Sequence, residues 1–195
     1  MKKDNMKKTL AVRCVAAAAL GFAKGAVTIA PVYYVTGNHE TALPQQQYEQ
    51  LMEGLETAGV TVLANDAVTV AYHGEEITVV GLSDPASMAA SRLSRLTDKE
   101  ERYVILLAHR PDFFEEYAEG GADLVFSGHA HGGQFRLPFI GGLMAPDQGL
   151  FPKYDAGLYR DGNTSMVVSR GLGNSIIPFR INNRPEIILV ELKAD

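Results

Sequence analysis

The chain has 195 residues, 46% hydrophobic and 21% charged, which describes one folded domain with enough apolar material for a core and excludes a disordered or fibrous polypeptide. Its net charge of -5 provides no general attraction for nucleic acid or anionic lipid. The single cysteine, Cys14, excludes an internal disulfide and a cysteine-built zinc site.

In chain order, Lys2, Lys3, Lys7 and Lys8 precede an apolar run from Leu10 to Phe22, a layout superficially that of a signal peptide. Arg13 interrupts the run and Lys24 ends it, so it is too short to span a bilayer. Its alanines favour helix, and it reads as an amphipathic helix packed on a sheet. Val32–Val35 reads as a strand. Pro44 opens a helix whose Tyr48, Leu51, Met52 and Leu55 share one face and which Gly59 ends. Val60–Leu63 is a short strand. Val68–Ala71 and Ile77–Val80 flank a His73-Gly74 turn as a hairpin. Asp84-Pro85 starts a helix through Leu96, with Thr97 to Glu101 as its polar end or a second helical turn. Tyr103–Leu107 is a buried strand, Asp112–Ala118 a short helix stopped by Gly120-Gly121, and Leu124–Phe126 the next strand. Residues 132–159, rich in glycine and proline, form a long ordered loop, and loops of that length are usually functional. Ser165–Ser169 and Ile187–Leu192 close the chain as strands. The pattern is α/β with an antiparallel component.

Three of these strands end in a loop that carries histidine. Thr36-Gly37-Asn38-His39-Glu40 follows the first, Ala108-His109-Arg110-Pro111 a later one, and Ser127-Gly128-His129-Ala130-His131-Gly132-Gly133-Gln134 another. Strand C-termini of a parallel sheet converge on one edge, so the loops can meet. Four of the five histidines lie on them. Imidazoles grouped this way suit zinc, iron, copper or nickel.

Gly-Asn-His-Glu, His-Arg-Pro after an apolar strand, and Gly-His-Ala-His, in this order, resemble the last three motifs of the calcineurin-like metallophosphoesterases. Ala145-Pro146-Asp147-Gln148-Gly149, Ser169-Arg170-Gly171-Leu172-Gly173 and Asn183-Arg184-Pro185-Glu186-Ile187 make the chain similar to the YkuE/YaeI-type subgroup, from about Leu10 to Leu192. The resemblance implies two packed mixed β-sheets flanked by helices. It also implies two divalent metal ions (Mn, Fe or Zn) at the strand C-termini. On that basis Asn38, His109 and His129 ligate one ion and His131 the other. His39 faces the phosphate and either protonates the leaving oxygen or stabilises the transition state, a role suited to imidazole with its pKa of about 6.5. Arg170 is a candidate substrate contact, able to meet a phosphate or to act structurally. Glu40 orients His39 or its loop, and Asp147 and Asp155 read as solvated or structural.

The Asp-x-His and Gly-Asp-x-x-Asp motifs with which such enzymes begin have no counterpart here. Residues 1–195 therefore read as a single, N-terminally truncated domain missing its first two strands, including the aspartate that bridges the metals. The implied function is hydrolysis of phosphodiester or pyrophosphate bonds in a phosphorylated small molecule or a lipid-linked substrate such as UDP-2,3-diacylglucosamine, with this fragment weakly active or inactive alone. The alternative is a non-catalytic metal-binding remnant. Phe135, Phe139, Ile140, Leu143 and Met144 either receive a lipid chain or cover the sheet. Full-length relatives are implied to be membrane-associated, so peripheral membrane contact is expected. The chain by itself reads as soluble and cytoplasmic, with no nucleic-acid partner. A metallo-β-lactamase reading fails because Gly132-Gly133-Gln134 lacks the Asp and His that such a fold needs after its pair. No Gly-x-Ser-x-Gly supports a serine hydrolase.

Overall fold

A computed structural model describes residues 20–72, 74–97, 102–173 and 179–193. Most of the lysine-led N-terminal run, His73 of the hairpin turn and residues 98–101 lie outside them.

Helix α1 (residues 20–26) leads to strand β1 (Tyr33–Tyr34), helices α2 (Asn38–Thr41) and α3 (Gln45–Thr57), and strand β2 (Thr61–Val62). Leu51 and Leu55, one turn apart on α3, are buried with Ala23 and Val60, and Val32, Tyr34 and Val62 pack against them. Burying each leucine contributes roughly 2 kcal/mol. Gly59, at φ 91°, takes the left-handed conformation that turns the chain out of α3 into β2. Strand β2 pairs in parallel with β1.

The main sheet contains β3 (Asp66–Tyr72), β4 (Glu75–Leu82), β5 (Tyr103–Ala108), β6 (Leu124–Ser127), β11 (Gly157–Asp161) and β12 (Thr164–Val168). Its order is β11-β12-β6-β5-β4-β3. The four central strands run parallel, and an antiparallel strand closes each edge. Strands covered on both faces read as continuous apolar runs, as residues 104–107 of β5 do; Leu106, Val125 and Met166 are fully buried. On one face, helices α4 (Ala89–Leu96) and α5 (Phe114–Glu119) bury Leu93, Phe114 and Tyr117 against Val80, Leu106 and Val125. The other face, through Val79, Ile105, Leu124 and Val167, meets Tyr33, Val35 and Leu63 of the smaller sheet. The layers are therefore helices, large sheet, small sheet, helices, an α/β sandwich of two packed sheets.

Three elements differ from the sequence reading. Helix α4 starts at Ala89 rather than at Asp84-Pro85, because Met88 is left-handed (φ 59°, ψ 35°) and breaks any upstream extension. Residues 132–159 are not one loop. They form the short antiparallel pairs β7 (Arg136–Leu137) with β8 (Gly141–Gly142) and β9 (Met144–Ala145) with β10 (Gly149–Leu150), and β11 begins at Gly157. Residues 187–193 form no strand. Ile188 and Val190 face the inter-sheet cluster while Ile187 and Leu189 face solvent, a strand-like alternation with no hydrogen-bonded neighbour strand among the described residues.

Candidate metal centre

The parallel strands deliver three loops to one edge. After β5 comes His109, and after β6 come Gly128 and His129. The two loops are tied together: the Ser127 hydroxyl donates to Ala108 O (2.8 Å), and Gly128 N–H donates to His109 O (3.1 Å). The third loop follows β1. There Gly37 N–H donates to Glu40 Oε2 (2.8 Å), so Glu40 folds the turn that presents Asn38. A Cβ on Gly37 would lie 2.9 Å from three atoms of the His109 ring, so the imidazole fits only because position 37 has no side chain.

Three donor atoms converge. His109 Nε2 lies 3.0 Å from Asn38 Oδ1 and 3.1 Å from His129 Nδ1. His129 sits at φ 58° and His131 at φ 48°, left-handed conformations that cost on the order of 1–3 kcal/mol each for non-glycine residues. Burial, then the neighbouring His129, lowers the pKa of His109 to about 4. Burial, then Arg180, His129 and His39, lowers that of His131 to about 4. Both rings are thus neutral at pH 7, the form that ligates a metal. His131 Nδ1 and Nε2 form no hydrogen bond with this group; its main-chain oxygen accepts from Asn183 Nδ2 (2.6 Å). His39 is exposed on α2, within electrostatic reach of His131.

The donor set fits a single ion better than a pair. Donors about 3 Å apart match neighbouring ligands around an ion at bond lengths of about 2.0–2.2 Å. Among the described residues no group of three or more His, Cys, Asp or Glu side chains is arranged to hold a metal. The converging trio includes an amide, and all three donors are uncharged.

Asp147, Arg110 and Asp84 are tied to this edge, and sequence reasoning does not single them out as site residues. Asp147 Oδ2 accepts from His129 Nε2 (2.8 Å). Its pKa is lowered first by that hydrogen bond, against burial, and then by Arg110. Arg110 pairs with Asp147 and, through Nε and Nη2, with buried Asp84 at 2.5 and 3.2 Å. Asp147 therefore contacts the site while its side chain remains 48% exposed. The one sequence cue for it is the Ala-Pro-Asp-Gln-Gly stretch. Asp155 is structural: Oδ2 accepts from Arg136 Nη1 (2.8 Å) and Gly142 N–H (2.6 Å), and Oδ1 from the Tyr159 hydroxyl (2.9 Å). Arg170 is held by Glu186, whose Oε2 accepts from Nε (2.7 Å) and from Nη2. A larger surface cavity, about 710 Å³, opens at the opposite edge of the sheet beside Asp123 and Thr164, away from every histidine named here.

The parallel strands of this α/β sandwich thus bring Asn and His donors to one edge, as a candidate metal centre requires. The family model for calcineurin-like phosphoesterases matches residues 13–133, and the chain belongs to that family. It is 34% identical over 170 residues to phosphodiesterase YaeI of Escherichia coli, covering 84% of this chain and 58% of that protein. It is 35% identical over 169 residues to the uncharacterized metallophosphoesterase YkuE of Bacillus subtilis, covering 82% and 55%. To the UDP-2,3-diacylglucosamine pyrophosphatase LpxG of Chlamydia trachomatis it is 29% identical over 164 residues, covering 77% and 47%. The chain thus spans about half to three-fifths of the length of these relatives. No solved structure matches it. No helix among the described residues is long and apolar enough to cross a membrane.

Proposed function

We propose that this chain carries the metal-binding and proton-donating half of a phosphoesterase that hydrolyses phosphodiester or pyrophosphate bonds. The observation that carries this reading is the convergence of Asn38 Oδ1 and His129 Nδ1 on His109 Nε2, at 3.0 and 3.1 Å. These three residues would hold one divalent ion, and His131 would be the one ligand this chain offers to a second. When bound, such ions neutralise charge on phosphoryl oxygens and activate water. His39, exposed beside His131, is the residue placed to pass a proton to the leaving oxygen. Arg170 holds Glu186 and so fixes the loop that follows β12.

The single domain of residues 1–195 is read as lacking two strands of its smaller sheet. A cavity of about 380 Å³ between Tyr33 and Val35 on one side and Ile188 on the other, floored by Leu107 and Phe126, supports this. So does the alternation of Ile188 and Val190 with no ladder partner among the described residues. A lipid-linked substrate is supported by the similarity to the UDP-2,3-diacylglucosamine pyrophosphatase LpxG and by Phe139 and Ile140, which are fully and 62% exposed. Exposed apolar side chains beside the loop would meet an acyl chain or a membrane surface.

The alternative, a metal-binding remnant without catalysis, is favoured by one observation: the converging donors are all neutral. A cation pair needs a bridging carboxylate to offset its repulsion. The test is hydrolysis of bis-p-nitrophenyl phosphate with Mn²⁺, comparing this chain with one extended upstream through an Asp-x-His and a Gly-Asp-x-x-Asp segment. Activity confined to the extended chain supports the proposal. Equal rates would sink the truncated-site reading, and no activity in either, with at most one metal per chain, would favour the remnant.

A further inference from the structure

Arg180 is half-buried, and two donors of its guanidinium are enclosed by the fold and not used by it. Nη2 donates to Gly173 O, but Nε and Nη1 are out of solvent contact with no hydrogen-bond partner among the described residues. Leaving buried donors of a cation unfilled costs more than leaving neutral ones, so such groups call for a ligand. The neighbouring cations differ: Arg170 is satisfied by Glu186 and Arg136 by Asp155.

The backbone around Arg180 is strapped to the histidine loop on both sides. Gln134 Nε2 donates to Phe179 O (2.7 Å), Arg136 N–H donates to Ile181 O (3.0 Å), and Asn183 Nδ2 donates to the carbonyls of His131 (2.6 Å) and Gln134 (3.1 Å). Gly132 permits this approach, since a Cβ there would fall 2.3 Å from Asn183 Oδ1. Arg180 is close enough to lower the pKa of His131, and burial together with Arg170 disfavours its own charge. Glu186, the nearby carboxylate, is spent on Arg170.

We propose that Arg180 is a substrate-binding residue, its unfilled N–H donors binding a phosphoryl oxygen beside His131. This deepens the phosphoesterase reading and rests on it. It also assigns the phosphate contact to Arg180 instead of Arg170. A guanidinium suits a phosphoryl group because its donors are planar and permanently charged.

The test titrates the chain with inorganic phosphate, with and without Mn²⁺, following ³¹P line width and heat, and counts bound Mn²⁺ separately. Arg180→Gln should weaken phosphate binding about tenfold or more, with Mn²⁺ content and circular dichroism unchanged, since charge-assisted hydrogen bonds are about twice as strong as neutral ones. Arg180→Lys, which keeps the charge and loses the planar donors, should recover part of the affinity. Arg170→Gln should lower the unfolding midpoint and leave phosphate affinity within about twofold. Phosphate affinity unchanged in folded Arg180→Gln, or a loss as large in Arg170→Gln, overturns the proposal. Absence of Mn²⁺ binding by the parent chain, with Arg180-dependent phosphate binding intact, would count against the metal reading alone.

Discussion

Asp147 Oδ2 lies 2.8 Å from His129 Nε2, and through this contact a residue of the long segment after the histidine pair controls which nitrogen of His129 is free. With Nε2–H donated to the carboxylate, the Nδ1 lone pair points to His109 Nε2 at 3.1 Å, where the ion is proposed to sit. A carboxylate behind a ligating imidazole fixes its tautomer and raises its basicity. Asp147→Ala is expected to weaken Mn²⁺ or Zn²⁺ binding about 10–100-fold, with Asp147→Asn intermediate, by isothermal titration. Unchanged affinity would make the contact incidental.

Gly37 stands at φ -109°, a conformation open to alanine, so Gly37→Ala tests sterics without backbone strain. The new Cβ would meet the His109 ring at 2.9 Å. The expected outcome is loss of metal with an unchanged far-ultraviolet dichroism spectrum. Full metal content in this variant would show that His109 can move without cost.

His39→Ala, made in the upstream-extended chain, should lower turnover by about 10²–10⁴-fold, the usual contribution of a general acid or base. Metal content should stay at the parent level, because His39 is exposed and stands outside the converging donors. Metal loss in this variant would make His39 a ligand.

In the metal-free chain, stability should fall with acidification between about pH 6.5 and pH 4. His109 and His131 have folded pKa values of about 4, below the 6.5 of free imidazole. The unfolded chain therefore binds more protons in that window, stability rises with pH across it, and the histidine contribution is flat below pH 4. Urea midpoints measured with chelator at pH 7 and pH 5.5 should differ, and His109→Gln should reduce the difference. Identical midpoints in the parent chain would contradict the burial of these rings.

How much was readable follows from the range of each interaction. Apolar spacing marked α3 through Leu51 and Leu55, and continuous apolar runs marked β5 and β6, because local periodicity reports which face is buried. It failed at Met88, where a left-handed residue delays α4, and across 132–159, where two-residue strands are too short to show alternation. Residues 187–192 have the right alternation, yet a strand also needs a neighbour, and none lies beside them among the described residues.

By itself the sequence determined the α/β class, the family, and the gathering of Asn38, His109 and His129 at strand ends, since motif order and strand direction together send these loops to one edge. Only the tertiary structure decided the partners of the charged groups. Asp147 reaches His129 across 18 residues, Arg110 reaches Asp84 across 26, and Glu186 takes Arg170 across 16. Arg180 is left with unfilled donors among the described residues. Long side chains find partners by proximity after folding, and sequence spacing carries no record of that distance.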